Sequence, residues 1–353
     1  MKKIKSEVET SSLTFLWEKK MKKKFRFGKN FTNCFVIFCV AILALGFFSC
    51  ATTKVPEVPV LSKYDDMMFW KIEGADANGK LSTIYVLGTI HVGDERLYPL
   101  PQEIAQAYGK ADKVYGEISS QGWKNLVTKL SFRMQDSQKE ATEIEAERGI
   151  AWYDTLTDEQ QKFLEEKLGK NIVDSQKIYM PWVLYSAVSN LTLQGTDLSS
   201  NYAYDTHFIT VSNNYGIEMF GLDELEVQLD IMSYGDIDVQ MDMMTSTIDE
   251  MLKDENAAIE ETRKLYETYL SGDENALAAC LFDDMEKEIA EEPYMVEYYD
   301  LLFTERNTNW AETFAELLNE GGTTFVFAGS GHFVGNNSVF SIMKENGDLV
   351  FLN

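Results

Sequence analysis

The fold is decided by two stretches of sequence, Ser82-Thr-Ile-Tyr-Val-Leu-Gly-Thr-Ile-His91 and Thr323-Thr-Phe-Val-Phe-Ala-Gly-Ser-Gly-His332. Each is a short apolar run, rich in β-branched or aromatic residues, that is typical of a buried β-strand. Each ends in a Gly-x-x-His motif, and the chain contains only three histidines in its 353 residues. The two motifs therefore place two of the three imidazoles directly after predicted strands.

The residues around the first stretch predict strands and a helix in alternation. Phe69-Trp-Lys-Ile-Glu and a turn at Asn78-Gly79 precede it, which indicates a β-hairpin. A helical pattern from Pro101 to Ala111 and a strand from Lys113 to Ser119 follow. The order of strand, helix and strand suggests a parallel βαβ unit.

Helical periodicity dominates the middle of the chain, where Thr157 and Gln160 have the spacing of a capping box. We predict an α/β domain over residues 66–353, with a mixed, largely parallel sheet, flanking helices and a long helical insertion at about residues 121–290. The remaining predicted elements are helices at Tyr204 to Asn214, Met241 to Leu270, Arg306 to Glu320 and Val339 to Glu345, and strands at Gly216 to Leu222 and Leu349 to Leu352.

The charge distribution excludes one class of partner. The first 49 residues hold ten of the 32 basic and three of the 57 acidic residues, which leaves the remainder with a net charge of −32. A protein region with this much negative charge repels nucleic acid and anionic membrane surfaces. We therefore exclude nucleic-acid binding. Cysteines occur at 34, 39, 50 and 280, so only Cys280 lies in the predicted domain and no disulfide can form within it.

The amino terminus has the pattern of an export signal. A basic stretch begins at Met21, which is a candidate start site, and an almost wholly apolar run from Cys34 to Phe48 ends in Leu45-Gly-Phe-Phe-Ser-Cys50. A cysteine directly after the cut resembles a lipobox, so we predict a signal peptide over residues 1–49 and lipidation of Cys50. Residues 50–65 then form a tether. The protein is expected at the bacterial cell envelope, anchored to the membrane by lipid; an uncleaved anchor is the alternative.

A candidate site follows from the ends of the predicted strands. Catalytic and ligand groups in open α/β sheets gather at the carboxyl ends of the strands, where glycines such as Gly88 and Gly329 allow close approach of the backbone. Glu117 lies near the end of the predicted strand Lys113 to Ser119, and Asp223 lies just after the predicted strand that ends at Leu222, so both would reach the same edge. Two imidazoles and one or two carboxylates can bind a divalent metal, and a carboxylate that is not a ligand can act as general base. The alternative is that each histidine only forms a hydrogen bond at the end of its strand.

Four further residues are candidates for supporting roles. Asp205 and His207 lie on a predicted helix, where Asp205 could orient a metal ligand. Arg306 and Asn307 could clamp a carboxylate or a carbonyl oxygen. Surface helices and helix starts commonly carry such residues, so a purely structural role is the alternative for all four.

The order of motifs resembles the TraB/PrgY/GumN family over roughly residues 66 to 352. The similar segments are Val86-Leu-Gly-Thr-Ile-His-Val-Gly-Asp94, Tyr115-Gly-Glu117, Tyr204-Asp-Thr-His207, Gly221-Leu-Asp-Glu-Leu-Glu-Val-Gln228, Glu305-Arg-Asn307 and Phe327-Ala-Gly-Ser-Gly-His332. The family is similar to the TIKI membrane metalloproteases. The resemblance implies a TraB/TIKI/ChaN-like fold, a divalent metal and hydrolysis of peptide bonds, with catalytic or ligand roles for His91, Glu117 and His332. The family usually has Glu at the position of Asp223, whose carboxylate reaches less far.

Three functional hypotheses remain open at the level of sequence. The first is a metal-dependent hydrolase of metallopeptidase type that uses manganese, cobalt or zinc on envelope peptides or proteins. The second is a non-catalytic envelope lipoprotein that binds a peptide signal or a haem-like ligand. The third is a merely structural lipoprotein.

Overall fold

A seven-stranded sheet with four parallel strands side by side forms the centre of the computed structural model, which describes residues 55, 56 and 58–352. The order across the sheet is β5-β4-β6-β3-β2-β1-β7. The strands are β1 (Val60–Lys63), β2 (Phe69–Ala75), β3 (Leu81–Thr89), β4 (Lys113–Ile118), β5 (Met219–Asp223), β6 (Gly322–Gly329) and β7 (Val350–Phe351).

Helices cover the sheet and fill most of the chain between β4 and β6. This arrangement confirms the predicted α/β fold with a mixed, largely parallel sheet. The helices are α1 (Gln102–Lys110), α2 (Ser120–Arg148), α3 (Asp158–Leu168), α4 (Lys170–Gln176), α5 (Pro181–Val188), α6 (Tyr204–Tyr215), α7 (Leu225–Met232), α8 (Ile237–Leu270), α9 (Glu274–Phe282), α10 (Met285–Glu291), α11 (Met295–Tyr299), α12 (Glu305–Glu320) and α13 (Val339–Glu345).

Two local features, a hairpin and a capping box, form where the sequence predicts them. β2 and β3 form the expected antiparallel hairpin, and Gly79 takes a positive φ of 74° in its turn. Thr157 and Gln160 form the capping box at the start of α3, in which each side chain bonds the other residue's backbone N–H.

The two Gly-x-x-His stretches lie side by side in the sheet. β3 and β6 are parallel neighbours over their whole length, and Thr89 pairs with Gly329 at their carboxyl ends. The expected unit of β3, α1 and β4 is parallel, but β3 and β4 are not adjacent because β6 pairs with both. The two histidine motifs, which are 241 positions apart in the chain, therefore reach the same end of adjacent strands.

The described residues form two large hydrophobic cores and a small third one, which contains Ile118, Leu225 and Leu229. The first surrounds the sheet and includes Trp70, Phe325 and Trp310. The second lies among α2, α3, α4, α5 and the first part of α8. Helix α8 contributes to both cores and is broken at Asp254, whose φ of −159° and ψ of 88° are extended.

The predicted signal peptide, residues 1–49, and Cys50 lie outside the described residues. Within residues 55–352, we find no helix that is both long and apolar enough to cross a bilayer.

Candidate functional site

The predicted site residues meet at the carboxyl edge of the four parallel strands. Glu117 lies near the end of β4, and Asp223 is the last residue of β5. His91 follows β3 by two residues, and His332 ends a 3₁₀ turn directly after β6. Parallel strands bring these four positions to one edge of the sheet, as the sequence suggests.

A buried arginine holds the two carboxylates together. Arg306, on the first turn of α12, is 4% exposed. Its Nη2 donates to Glu117 Oε2 at 2.7 Å, and its Nε donates to Asp223 Oδ2 at 2.8 Å. Its Nη1 donates to the carbonyl of Leu302 at 3.0 Å. A charge this deeply buried is stable only when it is paired and hydrogen-bonded in this way.

Each remaining carboxylate oxygen also accepts a hydrogen bond from the protein. The backbone N–H of Gly329 donates to Glu117 Oε1 at 2.8 Å, and the indole of Trp310 donates to Asp223 Oδ1 at 2.7 Å. The amide of Gln228 bridges the pair, at 2.9 Å from Asp223 Oδ2 and 3.2 Å from Glu117 Oε2. Asp223 is therefore a fully engaged, buried member of this network.

The glycines of the two motifs allow the strands and loops to approach closely. A Cβ at Gly88 would lie 3.0 Å from both Trp70 Cζ3 and Ser330 Cβ. A Cβ at Gly329 would lie 3.3 Å from Glu117 Oε1, the oxygen that accepts its N–H. A larger residue at either position would have to displace these neighbours, so glycine is favoured here by close packing rather than by a positive φ.

The orientation of the His332 ring is set by Asn307. Asn307 Nδ2 donates to the carbonyl of Asn337 at 2.7 Å, so its Oδ1 faces His332 Nδ1 at 2.6 Å. Because Oδ1 can only accept, Nδ1 of His332 carries the proton and Nε2 keeps its lone pair. The buried ring also packs on Trp310, with 4.2 Å between ring centroids.

Nδ1 of His91 faces an acidic side chain, where Nδ1 of His332 faces an amide. Its Nδ1 lies 3.5 Å from Asp205 Oδ2, an ion-pair distance that is long for a hydrogen bond. Asp205 Oδ1 accepts from Thr89 Oγ1 at 2.7 Å, whereas Oδ2 is buried and has no hydrogen-bond partner among the described residues. Asp205 therefore faces Nδ1 of His91 and leaves Nε2 directed elsewhere.

The four titratable groups are shifted in different directions. Interaction with Asp205 raises the pKa of His91 to about 9, whereas burial and the nearby Arg306 lower that of His332 to about 3. Burial raises the pKa of Asp223. Burial acts in the same direction on Glu117, but the charges of Arg306, His332 and His91 prevail and lower its pKa.

His207, the third histidine, lies apart from this group. It is half-buried on α6 and packs on Tyr98, with 5.7 Å between ring centroids. Burial lowers its pKa. The sequence suggested Asp205 and His207 as a pair. In the structure Asp205 faces His91, whereas His207 packs on Tyr98.

Sequence reasoning missed Thr89, Gln228 and Trp310. A signal existed for Trp310, because Arg306, Asn307 and Trp310 share one buried stripe of α12, and polar residues within an apolar stripe usually have buried partners. Thr89 lies inside the first motif without any distinguishing feature. Gln228 lies on α7, at the end of the family-like segment that begins at Gly221, but no role was predicted for it.

The donor atoms fit a metal ion only in part. Both histidines present an Nε2 backed by an acceptor on Nδ1, which is how protein histidines bind metal. Both carboxylates are already hydrogen-bonded: Arg306, Gln228 and Trp310 donate to the two oxygens of Asp223, and Arg306, Gln228 and the N–H of Gly329 donate to those of Glu117. Between residues 55 and 352, no three His, Cys, Asp or Glu side chains form a ready metal-binding group.

Two clefts open on the surface of the described residues. One is lined by Ile144 and Met241, between α2 and α8. The other is lined by Trp70, Glu274 and Phe351, beside β1 and β7. Neither lining includes His91 or His332, but the lining of the second cleft includes Phe333, Val334 and Gly335, which directly follow His332.

Comparison with known sequences decides the family. The model of the TraB/PrgY/gumN family matches residues 68–350, which include every site residue named above. The chain belongs to the TraB/PrgY/gumN family. This TraB/PrgY/gumN protein is 29% identical over 317 residues to an uncharacterized protein of Treponema pallidum (strain Nichols), covering 89% of this chain and 91% of that one. No solved structure matches it.

Proposed function

We propose that this protein is a metal-dependent hydrolase of the cell envelope that cleaves peptide bonds. The observation that carries the proposal is the pair of imidazoles at adjacent strand ends, each with an acceptor facing Nδ1. In that arrangement Nδ1 of each ring faces its acceptor, so Nε2 is the nitrogen that can bind a ligand once it carries no proton. The resemblance to metalloproteases supplies the reaction class.

In the proposed site His91 and His332 bind manganese, cobalt or zinc through Nε2, with Glu117 as the acidic partner. The ion, when bound, polarises a carbonyl group and makes a water molecule more acidic. The protein itself holds the side chains of the site in position. Arg306 and the N–H of Gly329 fix the carboxylate of Glu117, and Asn307 fixes the ring of His332.

Glu117 is the carboxylate best placed to contact the reacting groups. Asp223 is 4% exposed beneath Arg306 and Trp310, whereas Glu117 is 17% exposed. The lowered pKa keeps Glu117 ionised at neutral pH, so it can bind a cation or accept a proton. We assign Asp223 a positioning role through Arg306.

We further propose that the protein works outside the cytoplasm. Its support is the sequence alone: a basic and then apolar amino terminus that ends at Cys50. Mass spectrometry of the protein purified from membranes should show a lipidated Cys50 as the first residue. A Cys50→Ala chain should lose both the lipid and the membrane association.

The test of the metal proposal is stoichiometric binding. The purified chain from residue 51 should bind one divalent ion, and the double variant His91→Ala, His332→Ala should lose it. His207→Ala is the matched control, because it removes a half-buried imidazole outside the site and should retain the ion. Unchanged metal content in the double variant would contradict the proposal.

A second candidate, a non-catalytic binding protein, has one observation in its favour. Every carboxylate oxygen of Glu117 and Asp223 already accepts a hydrogen bond from the protein. Such a network can serve as a rigid support for a bound peptide signal or haem-like ligand. A peptide-library digest with added manganese, cobalt or zinc separates the two functions: cleavage supports the hydrolase, and a co-purified ligand without cleavage supports the binding protein.

A further inference from the structure

The chain between α9 and α12 lacks the buried side chains that hold its neighbours in place. We define residues 283–304 as the linking segment, which contains α10, α11 and a π-helical turn, Asp300–Thr304. None of its residues is buried, whereas α9 buries Leu277 and α12 buries seven residues. Helices of seven and five residues, the lengths of α10 and α11, are not stable without packing. The order of the linking segment therefore depends on a few contacts with the rest of the molecule.

The charge of the linking segment weakens those contacts. It contains eight acidic residues and one basic residue, Lys287, which gives a net charge of −7. Like charges at this density repel one another and the acidic protein around them, and this repulsion disfavours the compact, docked state. Composition and burial therefore both favour a segment that can detach.

The carboxyl end of the linking segment covers His332. Phe303, in the π-helical turn, packs on the imidazole with 5.2 Å between ring centroids. The same ring lies against the histidine motif, because a Cβ at Gly331 would be 3.2 Å from Phe303 Cε1. His332 is 5% exposed, whereas the ring of His91 is 77% exposed. Phe303 therefore limits access to the second histidine, and π-helical turns are found frequently at functional sites.

Tyr234 ties the middle of the linking segment to the helical part of the molecule. It lies between α7 and α8, and its hydroxyl donates to the carbonyl of Tyr294 at 2.9 Å. Its ring packs on that of Tyr298, with 5.3 Å between centroids. The hydrogen bond from Tyr234 can therefore be removed without any change to the residues that contact His332.

We infer that the linking segment is a lid over His332, with Phe303 as the side chain that covers the ring and Tyr234 as the latch. When the latch releases, α10 and α11 lose their packing and unfold, and Phe303 leaves the imidazole. The opening exposes Nε2, and the negative charge of the lid attracts cations towards it. The role of the lid in admitting a metal ion and a peptide rests on the proposed function, whereas its motion does not.

The experiment measures the same opening at two places in the purified full-length protein. Diethyl pyrocarbonate reports access to the ring of His332, and trypsin reports the unfolding of α10 by cleavage after Lys287. Tyr234→Phe removes the hydrogen bond of the latch and keeps its ring. Both initial rates should rise by the same factor, roughly two- to tenfold, which is the effect of losing one hydrogen bond. Tyr215→Phe is the matched control, because it removes the hydroxyl of an exposed tyrosine outside the lid and should change neither rate. His207, modified in the same sample, should react at its wild-type rate.

The outcomes separate the lid from the proposed metal site. An unchanged rate at His332 in Tyr234→Phe, or a rise at His332 without a matching rise at Lys287, overturns the lid. A parallel rise at His207 means that the whole fold loosens, and it overturns the lid as well. Added cobalt should protect His332 from the reagent. If the two rates rise together but cobalt gives no protection, the lid is supported and the proposed metal-binding role of His332 is contradicted.

Discussion

The two Gly-x-x-His corners share a motif and a place in the sheet, but their surroundings are opposite in character. The ring of His91 is 77% exposed and faces the carboxylate of Asp205. The ring of His332 is buried between Trp310 and Phe303 and faces the neutral amide of Asn307. Both acceptors select the same tautomer, yet only Asp205 adds a charge.

The repeated motif therefore sets the position of each histidine in the sheet but not the pKa of its ring. The pKa of His91 is raised to about 9 and that of His332 is lowered to about 3, so the metal-free protein at neutral pH holds one imidazolium and one neutral imidazole. Metal binding requires both rings to be neutral, so it must displace a proton from His91. Variants of the residues around each ring test this difference between the two histidines.

The largest effect is expected from Arg306→Met, which breaks the buried network beside His332. The variant leaves Glu117 and Asp223 without a positive partner, and loss of one partner of a buried pair costs ~3–5 kcal/mol of unfolding free energy. Urea unfolding measures it. Arg148→Met is the control, because Arg148 forms an exposed pair with Asp238 and its loss should leave the unfolding free energy nearly unchanged. Equal losses in the two variants would contradict the buried role of Arg306.

Asn307→Leu should have the next largest effect. It leaves the N–H of His332 Nδ1 buried without an acceptor and the carbonyl of Asn337 without its donor, at a cost of ~1–3 kcal/mol for each unpaired group. Urea unfolding again gives the loss. Asn307→Asp restores the acceptor and adds a charge, so it should raise the pKa of His332 and make this corner resemble that of His91. An unchanged His332 titration in Asn307→Asp would show that Arg306 and burial alone control the ring.

Asp205→Asn should lower the pKa of His91 towards its ordinary value. Because the folded-state pKa is raised, the stability from this pair is fully present below pH ~6.5 and is lost as the pH rises towards about 9. In Asp205→Asn that loss should disappear. NMR titration of the ring protons follows all three histidines separately. Salt should reduce the shift in the wild type, since the ring is largely exposed.

The smallest effect is expected from Thr89→Val. It removes one partly buried hydrogen bond to Asp205 Oδ1 and should cost ~0.5–1.5 kcal/mol of unfolding free energy, measured by urea unfolding. Thr308→Val, on the exposed side of α12, is the matched control and should stay within ~0.5 kcal/mol of the wild type. A larger loss in Thr308→Val would mean that the threonine itself, not its partner, matters.

Local features of this protein could be predicted because they depend on neighbouring residues. The hairpin at Asn78-Gly79, the capping box at Thr157 and the carboxyl-end position of Glu117 all follow from short-range patterns. The amphipathic stripe of α12 likewise predicts a helix at nearly its observed bounds. Sequence also suggested Arg306 as a clamp for a carboxylate, and the structure shows that it binds two within the protein itself.

Long-range choices could not be predicted from one sequence. Nothing in β3, α1 and β4 indicates that β6, more than 200 residues later, pairs between the two strands. The same pairing brings the N–H of Gly329 to Glu117. The partners of Gln228 and Trp310 depend on how α7 and α12 pack at the sheet edge, which is a tertiary property.

The break in α8 lies where the helix passes from one hydrophobic core to the other. Residues before Asp254, such as Met244 and Ile248, pack in the helical core, whereas Tyr266 and Tyr269 after it pack against the sheet. Asp254 Oδ1 accepts from the N–H of Ala257 at 3.1 Å and so starts the second half of the helix as an independent N-cap. A fluctuation that opens the helical core can therefore stop at residue 254. Tyr269, whose hydroxyl donates to the carbonyl of Gly88, then keeps the first histidine motif in place while the helices exchange their amide protons.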